Sequence, residues 1–313
     1  MSEPFASTAL TALVFDVLSE IDASLVPPDF QRPDPFAKAA HLASQKGSLL
    51  EHAFDVGGAR PLVAVGRALA RVQETPVLQV LLNSSQPSIV AEKWIRLEEY
   101  HHSSHRTHIE CAGEDSWTCA RFSTTGARPS APFNCLMFGL QTGLLRLFNC
   151  GAVVGRAEGL IDTGDEDVRE IIRPKTVSRW EISWRTRRPQ PVDDAIHDAD
   201  APLLKRLTQL LVEDLGRVWR LEMAARALAQ SPRSLQRRLS ASGHTFSSVL
   251  RAARVAQASR LLRQSDWTLS DIGYACGYAD QAHFQRDFRR GVNMTPKTFR
   301  DVSLPPAANP DAH

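Results

Sequence analysis

Apolar residues recur at a spacing close to 3.6 in three early segments of the chain, at 9–18, 61–72 and 89–100. This spacing predicts three helices, each with one buried face. Prolines such as Pro27 and Pro76 lie between the segments, and they predict turns that separate the helices.

The apolar period changes to two from His105. The runs HRTHIECA and SWTCARFS alternate polar residues with apolar or β-prone ones, and residues 113–115 supply a turn between them. This pattern predicts a β-hairpin. Residues 168–172 and 178–186 also have the composition of strands. Helices and strands together predict an α+β region.

A continuous apolar run, CLMFGLQTGLLRLF, lies within residues 131–150. The run is too long for one strand and too short and interrupted for a membrane span, so it predicts a buried helix. The opening sequence MSEPFASTALTALVFDVL has no basic leader and mixes polar with apolar residues. Neither a signal peptide nor a transmembrane helix is expected, and we predict a cytoplasmic protein with no membrane partner.

The chain of 313 residues is long enough for two domains. Prolines and acidic residues with little apolar material to bury mark 191–202 as the predicted linker. The first domain is therefore placed at 1–190. Helical spacing resumes at 203–218 and opens a second domain at 203–302, with a disordered tail expected at 303–313.

One pattern is written twice in the second domain. Each copy has a small residue, a helix-capping residue and two apolar residues four positions apart. The first copy is Ala224, Ser231, Leu235 and Leu239, and the second is Gly273, Asp280, Phe284 and Phe288. Each member of the second copy lies 49 positions after its counterpart. A capped helix crossing closely over a preceding one predicts a helix-turn-helix, so two such units are expected.

The second helix of each copy is predicted to have one apolar and one polar face. In the first copy Ser231 is the predicted N-cap and Pro232 the first helical residue of a helix at 232–240. At 100° per residue, its outer face carries Arg233, Ser234 and Arg237. In the second copy the predicted outer face consists of Ala282, His283, Arg286, Arg289 and Arg290.

A long helix at 246–263 is predicted to join the two copies, and its length of roughly 27 Å suits a separation of about one DNA turn. The predicted inward stripe consists of Val249, Leu250, Ala253, Ala256 and Leu261. The predicted outward cations are Arg251, Arg254 and Arg260. Thr268 and Asp271 are predicted to form a capping box at the start of the second copy.

The basic charge is concentrated on the region of the repeat. Residues 205–300 contain 17 Lys and Arg against 7 Asp and Glu, whereas residues 1–204 contain 20 against 26. A compact basic domain indicates a polyanionic partner, most often nucleic acid. The alternatives are a basic face that only keeps the protein soluble and an interaction module that never contacts DNA.

The region of the repeat resembles the AraC/XylS family of bacterial transcription regulators. The resemblance rests on ARALAQSPRSLQRRLSASG, the long connecting helix, and LSDIGYACGYADQAHFQRDFRRGVNMTPKTFR. Gly273 and Asn293 depart from the usual family residues. The resemblance implies that one recognition helix of each unit enters one of two successive major grooves on the same face of double-stranded DNA.

Carried over by position, the resemblance implies a set of residues at bases or neighbouring phosphates. They are Arg233, Gln236 and Arg237 in the first unit and Gln281, His283, Gln285 and Arg286 in the second, and the outer face of the first helix adds Ser234. Arg pairs with guanine and Gln with adenine, and each such pair contributes about 1–3 kcal/mol of discrimination. For Arg237 and Arg286 a solvated face or a phosphate contact is the alternative, and for His283 a surface histidine.

The N-terminal region resembles, more loosely, the arabinose-binding-like domain of AraC-type regulators such as those of ornithine use. The matching features are PLVAVGRALARVQETPVLQVLLN, the segment RLEEYHH and the hairpin. The combined interpretation is an α+β sensor domain followed by an all-α DNA-binding domain with two helix-turn-helix units joined by a long helix. The implied partners are promoter DNA, a small-molecule effector, RNA polymerase and a second copy of the chain, with no cofactor.

The sequence leaves two other functional classes as alternatives. His101, His102, His105, His108 and Cys111 raise the alternative of a metal sensor, and the N-terminal cysteines that of a redox switch. Isolated buried thiols and histidines that point in different directions are the favoured interpretation. An enzyme is not expected, because the sequence has no HExxH, GxSxG or Gly-rich phosphate loop.

Overall fold

A computed structural model describes residues 8–33, 42–73, 75–100, 105–112, 114–126, 130–164, 168–185 and 203–303. The chain divides into two compact units, an N-terminal unit at 1–190 and a C-terminal unit at 191–313. The predicted linker at 191–202 and all but the first residue of the predicted tail lie outside the described residues.

The described part of the N-terminal unit combines helices with one antiparallel sheet, which agrees with the predicted α+β class. The α-helices are α1 (Thr8–Ile21), α2 (Leu42–Gly57), α3 (Arg60–Ala64), α4 (Pro76–Leu82), α5 (Pro87–Tyr100) and α6 (Ala131–Leu147). The buried-helix prediction for the apolar run is confirmed, because most of α6 is inaccessible to solvent.

The helix predicted at 61–72 is wrong in part, because Val65–Val72 winds as a 3₁₀ helix. Its buried positions are Val65, Gly66 and Leu69, and the last two lie three residues apart, which suits three residues per turn. The 3₁₀ helix packs backbone against backbone on α6. A Cβ added at Gly66 would overlap the backbone of Gly139, and one at Gly143 would overlap the backbone of Gly66.

The sheet has six strands in the order β1-β2-β6-β3-β4-β5. The strands are β1 (His105–Cys111), β2 (Ser116–Ser123), β3 (Gly151–Ala157), β4 (Leu160–Asp162), β5 (Arg169–Glu170) and β6 (Arg179–Arg185). The predicted hairpin is confirmed as β1 and β2, which pair antiparallel from His105 opposite Ser123 to Cys111 opposite Trp117.

The strand predictions for residues 151–172 were incomplete. Strands β3 and β4 were not predicted, because glycines interrupt the alternation; Gly155 lies on β3 where a Cβ would meet the Phe138 ring of α6. The strand predicted at 168–172 is reduced to the two residues of β5. Ile171 and Ile172 follow it with 69% and 71% of their surface exposed.

The edge strand β1 is closed on its outer side by a side chain of α5. The Glu98 carboxylate accepts a hydrogen bond from the Thr107 backbone N–H at 2.5 Å. The same carboxylate accepts one from Arg121 Nη1 at 2.9 Å, and both of these side chains are 1% exposed. Glu98 therefore takes the place of a neighbouring strand and leaves less of the edge open to pairing.

The described part of the C-terminal unit is all helical, which confirms the predicted class. Its helices are α7 (Leu203–Glu213), α8 (Leu221–Ala227), α9 (Pro232–Ala241), α10 (Phe246–Gln264), α11 (Leu269–Ala275), α12 (Gln281–Val292) and α13 (Pro296–Ser303). The helix predicted at 203–218 ends at Glu213. A turn follows, in which Asp214 O accepts the Arg217 N–H at 3.2 Å and the Trp219 indole N–H at 2.8 Å.

Helices α8 and α9 form a first helix pair, and α11 and α12 a second. The constant spacing of 49 holds for α9 and α12 but is wrong for the helices that precede them. Helices α8 and α11 begin and end 48 positions apart. Ala225 O accepts the Gln230 N–H just as Gly273 O accepts the Tyr278 N–H. The structural counterpart of Gly273 is therefore Ala225 rather than Ala224, and the second turn is one residue longer.

Candidate nucleic-acid interface

The first helix pair is held by a cap and two buried leucines. Ser231 is the N-cap of α9, and its side-chain oxygen accepts the Ser234 N–H at 3.1 Å. Leu235 and Leu239 are 0% and 1% exposed, and they belong to a core shared with α7, α8 and the start of α10. The predicted cap and apolar pair are confirmed.

The second helix pair has the same plan with larger side chains. Asp280 caps α12 and accepts the His283 N–H at 2.6 Å. Phe284 and Phe288 are fully buried. Their ring centroids lie 5.8 Å apart, and Phe288 also contacts Phe299 of α13 at 5.4 Å. Aromatic contact thus joins α12 to α13, where the first pair has aliphatic packing.

The two turns reach a left-handed backbone with different residues. Ala229 has a φ of +52° in the first turn, and Gly277 has a φ of +78° in the second. A Cβ at Gly277 would overlap the carbonyl oxygen of Leu215. Glycine is therefore required in the second turn on two grounds, conformation and close approach.

Helix α10 connects the two pairs and begins with a full capping box between Thr245 and Ser248. Thr268 at the start of α11 accepts the Asp271 N–H at 3.1 Å and donates its hydroxyl to the Asp271 carboxylate at 2.7 Å. The predicted reciprocal bond, from the Thr268 N–H to that carboxylate, is not among the bonds of the described residues. Asp271 therefore binds the hydroxyl of the cap instead of its backbone.

The inward stripe predicted for α10 is correct for only three of its five members, Val249, Leu250 and Ala253. Ala256 is exposed and Leu261 is only partly buried, whereas Ala258 and Leu262 are fully buried. The buried face rotates along the helix because α10 packs on α7 and also on α11, α12 and α13.

The polar face predicted for α9 is exposed. Arg233, Gln236 and Arg237 are accessible, and so is Arg238, which was not among the predicted contacts. Ser234 is only partly exposed and accepts the Ser231 hydroxyl at 2.9 Å. A helix face that presents guanidinium and amide groups beyond a buried leucine pair offers the donor patterns that base edges accept.

On α12 the structure separates the predicted contacts into two groups. Gln281, Gln285 and Arg286 are exposed. His283 is half-buried, with its Nε2 at 3.3 Å from Asp287 Oδ2 and its ring 5.3 Å from that of Tyr278 in an edge contact. His283 is thus engaged within the protein, which the wheel projection did not predict.

The three predicted outward cations of α10 differ in their surroundings. Arg260 is exposed. Arg251 Nε lies 3.4 Å from Asp287 Oδ2, and the Arg254 guanidinium lies 5.5 Å above the Tyr278 ring. The sequence analysis did not predict a role for Asp287 or Tyr278 in these contacts. The i, i+4 spacing of His283 and Asp287 is a signal for the first, and no local signal marks the second.

Burial shifts the pKa of three thiols and of one phenol among the described residues. Burial raises the pKa of the Cys119, Cys135 and Tyr278 side chains, and it also raises the pKa of Cys111. Since the thiolate is the reactive form, a raised pKa works against a redox switch at these cysteines.

No group of three metal-ligating side chains occurs among the described residues. His101 and His102 of the alternative metal site lie outside them. None of the helices in the described ranges is both long enough and apolar enough to span a membrane.

Residues 224–301 match the family described as Helix-turn-helix domain. The chain is 33% identical over 101 residues to the urease operon transcriptional activator of Escherichia coli, covering 32% of this chain and 34% of that one. It is 36% identical over 105 residues to the ornithine utilization regulator of Pseudomonas aeruginosa, covering 34% and 31%. The matches therefore span about a third of the length of these relatives.

Among solved structures, the chain is similar to the DNA-binding domain of AdpA, a global transcriptional factor crystallised in complex with a target DNA. The identity is 26%, the match covers 33% of this chain and 93% of that one, and the TM-score is 0.30.

Proposed function

We propose that this protein is a sequence-specific DNA-binding transcription regulator of the AraC type, because residues 224–301 match a helix-turn-helix family and two of its relatives are named as an operon activator and a utilization regulator. It is a non-enzymatic protein. Helix pairs α8–α9 and α11–α12 act as two helix-turn-helix units, and α9 and α12 enter successive major grooves on one face of the DNA. RNA polymerase is the partner through which a bound regulator of this kind acts on transcription.

The observation that carries the proposal is the shared design of α9 and α12. Each is capped at its N-terminus, buries an apolar pair at i and i+4, and exposes Arg and Gln side chains on the opposite face. The exposed side chains are Arg233, Gln236 and Arg237 on α9 and Gln281, Gln285 and Arg286 on α12. The excess of basic residues in 205–300 supports attraction of DNA at long range.

Ser234 and His283 are less available to contact DNA than the exposed side chains of α9 and α12, because each is engaged within the protein. Ser234 bonds to the cap residue Ser231, and His283 contacts Asp287. We retain Ser234 as a phosphate contact, since a hydroxyl has donor and acceptor capacity left after one bond.

The N-terminal unit is proposed to be the regulatory domain, controlled by a small-molecule effector in the cytoplasm, with 191–202 as its linker and a second copy of the chain as a dimer partner. The α+β architecture with its own core supports this division of labour. Candidate effectors are therefore to be tested on the full chain, because an effector bound to the N-terminal unit would change the affinity of the protein for DNA.

The proposal is tested by selecting duplexes from a random pool with the purified full chain. The selected duplex is then compared with a random duplex by fluorescence anisotropy at fixed salt. We expect a preference of at least about a thousandfold. Equal affinity for both duplexes would refute sequence-specific binding. An absence of salt-dependent binding would favour an interaction module that never contacts DNA.

A further inference from the structure

Asp287 is a buried carboxylate on a helix whose other charged residues face solvent. The residue is 9% exposed, and its neighbours Arg286 and Arg289 are exposed. A carboxylate removed from water is costly unless a cation or a hydrogen bond compensates for the lost hydration. The side chains that contact Asp287 therefore show how the burial of its carboxylate is compensated.

Two basic side chains converge on one oxygen of this carboxylate. His283 Nε2 lies 3.3 Å from Asp287 Oδ2, one helical turn earlier on α12. Arg251 Nε of α10 lies 3.4 Å from the same oxygen, with an ion-pair contact instead of an aligned hydrogen bond. The Asp287 carboxylate thus links α12 to α10, the helix that joins the two helix pairs.

A second contact lies one turn further along α10. The Arg254 guanidinium stacks over the Tyr278 ring at 5.5 Å, and the same ring contacts His283 at 5.3 Å and Phe284 at 5.2 Å. Arg251 and Arg254 are three residues apart and share one face of α10. We call Arg251, Arg254, Tyr278, His283 and Asp287 the α10–α12 clamp.

Helix α9, all of whose residues the structure describes, carries no carboxylate equivalent to that of Asp287. At the spacing of 49 that relates α9 to α12, Asp287 corresponds to Arg238 and His283 corresponds to Ser234. An arginine and a serine at these positions supply no carboxylate to bind a cation of α10. The core contacts of α9 come from the apolar pair Leu235 and Leu239.

We propose that Asp287 is a positioning residue that fixes α12 against α10, and so sets the separation and orientation in which the two recognition helices meet DNA. In this arrangement Arg251 serves the clamp instead of neutralising a phosphate, and His283 serves it instead of reading a base. The inference rests on the proposed DNA-binding function, and it specifies which residues of that site act indirectly.

The first experiment measures the affinity of the full chain for its selected duplex across a series of salt concentrations. The variants are Asp287→Asn, Arg251→Ala and the two combined, and Arg260→Ala is the control that removes an exposed cation from the same helix. We expect each single variant to weaken binding by about threefold to tenfold, and the double variant to bind no more weakly than the weaker single one.

The salt dependence separates positioning from phosphate contact. A lost phosphate contact reduces the slope of log affinity against log salt by about one. We expect Arg251→Ala to leave this slope unchanged. A slope reduced by about one would overturn the role given to Arg251. Additive effects of the two substitutions would overturn their coupling.

The second experiment uses duplexes in which the two half-sites are moved by one base pair closer together or further apart. We expect the parent and Arg260→Ala to discriminate between spacings, and Asp287→Asn to lose most of that discrimination. Arg251→Lys, which keeps the charge, should retain it in part. Unchanged discrimination in Asp287→Asn would refute the positioning role, even if urea denaturation showed lower stability.

His283→Ala distinguishes a role of His283 in the clamp from a role in base recognition. We expect its preferred base at each position to match that of the parent. A preference relaxed at one position would identify His283 as a base contact and contradict this part of the inference. If the parent itself preferred no duplex, the proposed function would fail and the inference with it, a result distinct from every variant outcome above.

Discussion

The two helix pairs of the C-terminal unit solve the same packing problem with different residues. The first pair buries leucines, places an alanine at its left-handed turn residue and leaves the face of α9 largely open. The second buries phenylalanines, uses Gly277 in a turn one residue longer, and attaches α12 to α10 through Asp287. A repeated sequence pattern therefore determines the scaffold of both pairs, whereas the attachment of α9 and of α12 to the rest of the unit varies.

The unequal cores give the largest expected effect. Phe288→Ala should lower the free energy of unfolding by about 3–5 kcal/mol, because the fully buried ring contacts Phe284 and Phe299. Its counterpart Leu239→Ala should cost about 2–4 kcal/mol. Urea denaturation of the full chain, followed by tryptophan fluorescence, measures both. A larger loss for Leu239→Ala would reverse the ranking of the two cores.

The turns provide the next test. Gly277→Ala should destabilise the protein by about 2 kcal/mol or more, since the positive φ and the Leu215 carbonyl both oppose a Cβ. The matched change Ala229→Gly should alter stability by less than about 1 kcal/mol, because relief of strain offsets the added flexibility of the unfolded chain. Thermal denaturation compares the two, and a neutral Gly277→Ala would show that this turn shifts freely.

The recognition faces should differ in which half of the target they affect. Arg237→Ala and Arg286→Ala are each expected to lose about 1–3 kcal/mol of base discrimination, at opposite halves of the site. Arg226→Ala, which removes an exposed arginine from α8, is the control. Binding to a panel of single-base variants gives the result. Uniform weakening on all duplexes would indicate that both arginines contact phosphates.

The helix caps are expected to have the smallest effects. Ser231→Ala and Asp280→Ala should each cost about 1 kcal/mol, because each removes the acceptor of one N–H at the start of a recognition helix. The aspartate should cost a few tenths of a kcal/mol more at low salt, since its charge also favours a helix N-terminus. Stabilities measured at low and high salt test this, and equal salt responses would remove the distinction.

Local signals in the sequence predicted the parts of the fold that depend on neighbouring residues. The caps Ser231 and Asp280, the apolar pairs and the hairpin follow from residue chemistry and period, and all are present. The 3₁₀ winding of Val65–Val72 and the strand β3 were missed because they depend on glycines that admit α6 at close range. Such contacts join residues far apart in sequence, where periodicity carries no information.

The candidate site was predictable to a similar degree. The helical period identified some exposed positions, such as Arg237 of α9 and Arg286 of α12. The exposed glutamines were expected only from the family resemblance. The helical period did not predict that His283 turns to Asp287 or that Arg251 of α10 lies beside the same carboxylate. The second of these contacts joins residues 36 positions apart, and it requires the tertiary packing of α10 on α12.

The one-residue difference between the two turns limits how far the internal duplication is interchangeable. A chimaera that replaced the first helix pair with the second by counting a constant 49 positions would place its leading helix one residue out of register. One residue corresponds to about 100° of rotation and 1.5 Å of rise, so the buried face of that helix would turn toward water. Exchange of specificity between the halves of this protein therefore requires the turn to be transferred together with its recognition helix.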